Sequence, residues 1–423
     1  MNHDLLKSVI FDQQDVIRNA RIIPRRYQLE SEANYVIAGL RRAGKSTLLY
    51  DVARNLAERG VDWSRIIYIP FEDERLSEFS LDDFNDILLV QHELNAEPGY
   101  FFLDEIQNIP GWEKFARRLA DSGRRVFITG SNATMLSGEI ASTLGGRYLI
   151  QQVTPYRLDE YLDARGISRA PRDLLATESL GHILNGFDTY FRNGGFPESL
   201  RHSSPRLYVE SVYQKVLLGD IVARNGIRNP QVIRLMMKKI AETVCSELSF
   251  SSLHNMLKSI GFSAGKSTII EYVSYAREAY LLFTVSNAVA KFVEREGNPK
   301  YYFSDNGLLN LFLTDKNTAL LENEVAVALH DAYPDELCYL KSARNGIDID
   351  FYLPQQRTAI QVAYSIAGEA RKREVENLAK LARVQPDIKR LLIVTKEEEE
   401  TIEQDDCVIE VVPVWKYLLQ LAR

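Results

Sequence analysis

Cysteine is scarce in this chain: Cys245, Cys338 and Cys407 are the only three among 423 residues, and no two stand at C-x-x-C spacing. That excludes a disulfide framework and suits a reducing compartment. Each thiol is expected to sit as a small buried apolar side chain. An excess of positive charge is missing too. The 51 Lys and Arg are outnumbered by 58 Asp and Glu, giving a net charge of −7 and no global basic field for nucleic acid. Long apolar runs are absent: residues 279–290 fall short of the roughly 18–20 residues that span a bilayer. The first 21 residues carry Asp4, Lys7, Asp12 and Asp15 and lack the apolar centre of a signal peptide. These absences point to a cytoplasmic protein with no membrane partner. What remains is an ordinary globular composition, 45% hydrophobic and 26% charged. The chain is too long for one hydrophobic core, so two or three domains are expected.

What is present is a loop of unusual chemistry. The apolar run Tyr35, Val36, Ile37, Ala38 meets Gly39-Leu40-Arg41-Arg42-Ala43-Gly44-Lys45-Ser46-Thr47, and Leu48, Leu49, Val52 and Leu56 follow at helical spacing. This is G-x-x-x-x-G-K-S between a strand and a helix, the setting in which the pattern has meaning. Gly39 and Gly44 permit backbone geometries closed to other residues, so successive N–H groups can turn inward and cradle phosphate oxygens. The helix N-terminus beyond them adds its positive dipole end. Lys45 can reach the β- and γ-phosphates, and the Ser46 hydroxyl is placed to coordinate Mg²⁺. Residues 39–47 are therefore the candidate ATP-binding loop.

Further apolar runs alternate with helical patterns, which implies a parallel sheet. Residues 64–69 form a second strand. Tyr100-Phe101-Phe102-Leu103 forms a third and runs straight into Asp104-Glu105. Carboxylates at the C-terminal end of a buried strand lie where open α/β sheets bind ligands. Asp104 is expected to support Mg²⁺ and Glu105 to activate the attacking water. The fourth strand, residues 125–129, leads into Gly130-Ser131-Asn132-Ala133, where Ser131 or Asn132 could orient that water, Asn132 as γ-phosphate sensor. Arg147, in Leu144-Gly145-Gly146-Arg147-Tyr148, is a candidate arginine finger acting in trans, which requires a homo-oligomer.

In this order and spacing GLRRAGKST, YIPFEDERL, YFFLDEIQN, ITGSNA and LGGRY resemble prokaryotic AAA+-type P-loop ATPases. YFRNGGFPESL, REAYLLFTV, YYFSDNGLL, LENEV, GIDIDFYLP and AIQVAYS match the C-terminal domain of unknown function that this group joins to its ATPase module. The resemblance covers nearly the whole chain and implies an AAA+ sheet with the P-loop strand near its centre. The C-terminal motifs identify the family without naming a function.

The fold class expected is α/β throughout: an AAA+-type P-loop domain over 1–154, a helical connector over 155–230, a winged-helix-like domain over 231–315 and a restriction-endonuclease-like domain over 316–423. Gly194-Gly195 marks a tight connector, either a hinge or a structural turn. The winged-helix reading takes residues 232–244, 251–257 and 266–279 as helices and 280–285 and 300–304 as wing strands. Lys266, Glu271, Arg277 and Glu278 cancel on the third helix, so it carries no signature of base recognition. In the same domain, Gly261 to Thr268 mimics a second P-loop but is one residue short, with no strand before it. The last segment resembles the core of restriction-endonuclease-like folds. Such nucleases bind Mg²⁺ through a helix Glu and strand carboxylates and use a nearby Lys. Glu322 or Glu324, Asp350 with Asp348 adjacent, and Gln361 occupy those places, but Ala363 stands at the lysine position. Gln for Glu and the missing lysine argue for a degenerate, silent fold.

Three functions remain open on the sequence: a Mg²⁺-dependent ATPase, a nucleotide-dependent switch or scaffold acting on a protein partner, and an ATP-dependent DNA-binding protein.

Overall fold

The structure is a computed structural model that describes residues 1–30, 32–133, 142–314, 317–404 and 407–422. Two compact units are present: Met1–Thr154 with Glu278–Tyr280, and Pro155–Arg277 with Leu281–Arg423.

The first unit opens with α1 (His3–Asn19), capped by Asn2, whose side chain accepts from the Asp4 amide, and burying Leu6, Val9, Ile10 and Ile17. A five-stranded sheet follows. Its strands are β1 (Asn34–Ala38), β2 (Ile66–Pro70), β3 (Tyr100–Asp104), β4 (Arg125–Gly130) and β5 (Tyr148–Gln152), in the order β2-β3-β4-β1-β5. Every pairing is parallel. The crossovers include α2 (Lys45–Glu58), α3 (Phe84–Leu94) and α4 (Trp112–Asp121). β1 lies between β4 and β5, one strand in from the edge rather than at the centre. The reason is that β5 returns to the outside of β1 and, among the described residues, forms the edge of the sheet.

Register in this sheet is fixed by a row of rings. Tyr68, Phe102, Phe127 and Tyr35 are direct partners across β2, β3, β4 and β1. Their rings stack at centroid separations of 6.1, 5.0 and 6.2 Å. A slip of one residue would turn every ring to the opposite face, so the ladder selects a single pairing. It also aligns the strand ends: Ala38 sits beside Gly130, and Pro70 beside Asp104.

The second unit begins with helices, among them Leu158–Ala164, Thr177–Asn193 and Pro205–Lys215, the last running into a π-helical stretch over Val216–Ala223. Helices Pro230–Glu242, Phe250–Ser259 and Lys266–Glu278 precede β6 (Leu282–Asn287) and β7 (Lys300–Phe303), which pair antiparallel. No strand precedes Gly261; it follows a helix end. After the helix Asn317–Ala332 come β8 (Cys338–Ser342), β9 (Ile347–Leu353), β10 (Thr358–Val362), β11 (Arg390–Thr395), β12 (Glu400–Gln404) and β13 (Cys407–Pro413). They form one mixed sheet with the earlier pair, ordered β12-β13-β11-β10-β9-β8-β6-β7. The two strands expected as a wing are therefore the edge of an eight-stranded sheet, which runs across the 315/316 boundary drawn from sequence. Every position of β7 is buried, as a solvated wing strand would not be.

The Gly194-Gly195 pair is a packed turn. A Cβ on Gly194, whose φ is +75°, would stand 1.9 Å from Asp305 Oδ1, and one on Gly195 would stand 2.1 Å from the Tyr156 carbonyl oxygen. Asp305 is buried and accepts from the amides of Gly195 at 2.8 Å, Gly307 at 2.8 Å and Leu308 at 3.3 Å. The three cysteines are half-buried rather than fully buried, and among the described residues no helix is long and apolar enough to cross a membrane.

Burial raises Glu324 to about 8, with the charge of Asp305 adding to the shift and a hydrogen bond from Tyr190 opposing it. A carboxyl raised in the folded state holds its proton more tightly there than when unfolded. It stabilises the fold at acid pH, and that contribution is lost as pH climbs through about 8. Glu324→Gln, which stays neutral, should gain in melting temperature relative to the wild type as pH rises from 5 to 8. An equal difference at both pH values would contradict the assignment.

Candidate nucleotide-binding site

The loop after β1 adopts its shape because of its glycines. Gly39 has φ +151°, and a Cβ there would lie 2.1 Å from the Val153 carbonyl oxygen. Gly44 caps α2 in the left-handed region with φ +102°. Arg42 is also left-handed, at φ +65°, a strain that loops at ligand sites commonly hold. Leu40 and Ala43 are buried, and the Ala43 carbonyl accepts from Arg25 at 3.1 Å. Arg41 reaches Glu72 at 3.2 Å. Lys45, Ser46 and Thr47 form the first turn of α2.

Lys45 is 5% exposed and folds back on its own loop, donating to the carbonyls of Gly39 at 3.1 Å and Leu40 at 3.3 Å. Its Nζ also stands 3.7 Å from Glu105 Oε1. A buried ammonium held by carbonyl dipoles and one carboxylate is positioned for a stronger anion.

The acid pair at the tip of β3 divides into two environments. Asp104 is buried; Tyr68 donates to its Oδ2 at 2.7 Å, Thr129 donates to Oδ1, and Ser46 is in hydrogen-bonding contact. Burial pushes Asp104 above the usual carboxylate range, and the Glu105 charge adds to this, while these hydroxyls pull back. Glu105 takes a left-handed backbone, φ +53°, with its amide donating to Thr129 Oγ1 at 2.8 Å. Its carboxylate accepts from Gln107 and, at 3.2 Å, from Ser131.

Asn132, buried just past the end of β4, is one residue beyond the serine that touches Glu105. Arg147 stands elsewhere. It precedes β5, whose Tyr148 pairs with Asn34 at the start of β1, whereas the glycine loop follows the end of β1. Its guanidinium is bound to Asp121 and, at 3.2 Å, to the Gly145 carbonyl. One side of the parallel sheet thus gathers residues 39–47 with Asp104, Glu105, Ser131 and Asn132, and Arg147 lies at the other. Tyr68, Gln107 and Thr129 were not legible as site residues. The one hydroxyl in the run Ile66-Ile67-Tyr68-Ile69 is the signal that the sequence carries for Tyr68.

The carboxylates singled out in the C-terminal segment meet a cation of their own. Lys300 Nζ, from β7, lies 3.3 Å from Glu322 Oε1 and 3.5 Å from Asp350 Oδ1. Gln361 accepts from the Asp350 amide at 2.8 Å and donates to the Asp348 carbonyl at 2.8 Å, so both ends of its amide are occupied. Burial works against the Lys300 charge, but Glu322 and Asp350 outweigh it and hold the ammonium. Glu324 is apart from this triad, beside Tyr190. Ala363 is buried in the apolar cluster of the sheet. Spacing could not reveal Lys300, because it comes from a strand that the sequence reading assigned to another domain.

A parallel β2-β3-β4-β1-β5 sheet with a glycine loop after β1 and an acid pair after β3 defines a P-loop NTPase of the AAA+ class. Residues 31–162 match the family described as "AAA domain", and residues 184–319 match a domain of unknown function, DUF8612. The chain is 30% identical to an uncharacterized protein of Methanocaldococcus jannaschii, covering 98% of this chain and 95% of that one. It is also 30% identical to an uncharacterized protein of Haemophilus influenzae, covering 91% and 94%. Among solved structures, the Walker-type ATPase of Pyrococcus abyssi is similar at 14% identity and a TM-score of 0.39, covering 72% of this chain and 94% of that one. The chain belongs to the AAA-domain family of P-loop ATPases that carry a C-terminal domain of unknown function.

Removing one partner of a buried ion pair strands the others, at about 3–5 kcal/mol. Lys300→Met should therefore lower stability in a denaturant titration by about that amount. An unchanged midpoint would mean that the triad is not held by its lysine.

Proposed function

We propose that the chain binds Mg²⁺-ATP and hydrolyses it to ADP and phosphate, and that the nucleotide state drives a conformational or assembly change. The observation that carries this reading is Lys45 Nζ within 3.7 Å of Glu105, beside a loop turned by Gly39 and Gly44 at positive φ. Lys45 and the amides of residues 39–47 would bind the phosphates, and Glu105 would take a proton from water, steered by Ser131 or by Asn132 as γ-phosphate sensor. Hard oxygen donors suit Mg²⁺: Ser46 directly and Asp104 through water, the remaining positions filled by phosphate and solvent. Bound there, the ion would neutralise phosphate charge.

Arg147 lies at the far end of the sheet from its own loop, which supports a role toward a neighbouring copy in a homo-oligomer. We read 1–154 as the ATPase module, 155–230 as its connector, and 231–423, whose strands share one sheet across residue 315, as the part that engages a protein partner in the cytoplasm. The Lys300-closed carboxylates favour binding over cleavage in the last segment. Neutral helix charge around Lys266 to Glu278 leaves DNA the weaker alternative.

Losing a general base costs roughly 10²–10⁴-fold. Glu105→Gln should lose turnover by that factor while still binding ATP; unchanged turnover in a phosphate-release assay would refute its role. A hydrogen bond to a charged group is worth about 1.5–3 kcal/mol, so Lys45→Ala should weaken ATP binding by roughly 10- to 100-fold. Equal affinity in a calorimetric titration would contradict the loop assignment.

A further inference from the structure

Asp104 is gripped from two strands at once. Thr129, on β4, donates to one carboxylate oxygen, and Tyr68, on β2, donates to the other at 2.7 Å. The Tyr68 side chain is fully buried. Its ring has no freedom to follow a moving acceptor, because it stacks 6.1 Å from Phe102 at the end of the cross-strand ladder. Tyr50, from α2, closes its other side at 5.3 Å between centroids and is in hydrogen-bonding contact with it. The phenol is thus a fixed donor aimed at one oxygen of the acid.

A carboxylate turns easily about its last torsion, an sp³–sp² bond with a broad energy well. Two donors on different strands remove that freedom. They decide which lone pairs of Asp104 face the Ser46 side, where the loop and the metal reading meet. A buried phenol also needs an acceptor, so Tyr68 and Asp104 hold each other.

We propose that Tyr68 is a positioning residue for magnesium: its hydroxyl orients Asp104 toward the water shell of the ion that accompanies ATP. This rests on the assignment of Asp104 as magnesium support. Outer-shell partners of metal ligands typically govern about 10- to 100-fold in metal affinity. Tyr68→Phe removes one oxygen atom and leaves the ring ladder in place.

The test is a Mg²⁺ titration of ATP binding, followed with a fluorescent ATP analogue, for the wild type, Tyr68→Phe, Asp104→Asn and the double variant. Tyr68→Phe should raise the half-saturating Mg²⁺ concentration by about tenfold or more. In the Asp104→Asn background the same change should add nothing, because its effect passes through the carboxylate. A half-saturating concentration equal to the wild type's would overturn the proposal. So would an equal shift in both backgrounds, which would mark Tyr68 as a packing residue only. A wild-type protein whose ATP binding ignores Mg²⁺ would overturn the assignment of Asp104 and this proposal with it. Binding that responds to Mg²⁺ in the wild type but identically in Tyr68→Phe would overturn the proposal alone.

Discussion

Parallel pairing with a locked register is the constraint on which the site depends. When every strand runs the same way, all C-terminal ends emerge on one edge, and whatever follows them is brought together without further design. Here the loop after β1, the acids ending β3 and the serine after β4 share that edge. The rings of Tyr68, Phe102, Phe127 and Tyr35 hold that register one strand to the next. The same ladder that secures the fold ends in the hydroxyl that touches Asp104. Packing and chemistry are continuous in this sheet.

The charged groups at the site meet partners from the protein itself. Lys45 spends its donors on loop carbonyls and stands near Glu105, and Glu105 is held by Gln107 and Ser131. Triphosphate would compete for the same ammonium with several oxygens at once and would release Glu105 from it. Arg42 and Glu105 take left-handed backbone, a cost that the surrounding contacts must hold in place. The C-terminal sheet settles its own acids differently. Lys300 lies between Glu322 and Asp350, so two carboxylates that would otherwise demand an external cation share an internal one.

Much of the first unit could be read from residue order, because its signals are local. Glycine spacing, an apolar strand before it and an acid pair after β3 each occupy a few consecutive positions. Partners contributed from across the sheet were hidden. Nothing local ties Tyr68 to Asp104, or Gln107 to Glu105; the register does. The position of β1 beside the edge strand was invisible for the same reason, since topology is a long-range property. In the second unit most of the element order was readable, but not β12 among its acidic residues, nor that β6 would pair with β8 and carry Lys300 into the same sheet as Asp350. Both pairings, Ser286 with Cys338 and Lys300 with Asp350, join segments 50 or more residues apart, which local spacing cannot bridge.

The most direct test of the central reading is phosphate release from ATP per subunit, measured with and without Mg²⁺ over a wide range of protein concentration. A Mg²⁺-dependent release whose rate per subunit rises with concentration would establish an ATPase completed by a neighbouring copy. Stoichiometric ATP binding with no release above the protein-free rate would contradict hydrolysis and leave a nucleotide-binding switch.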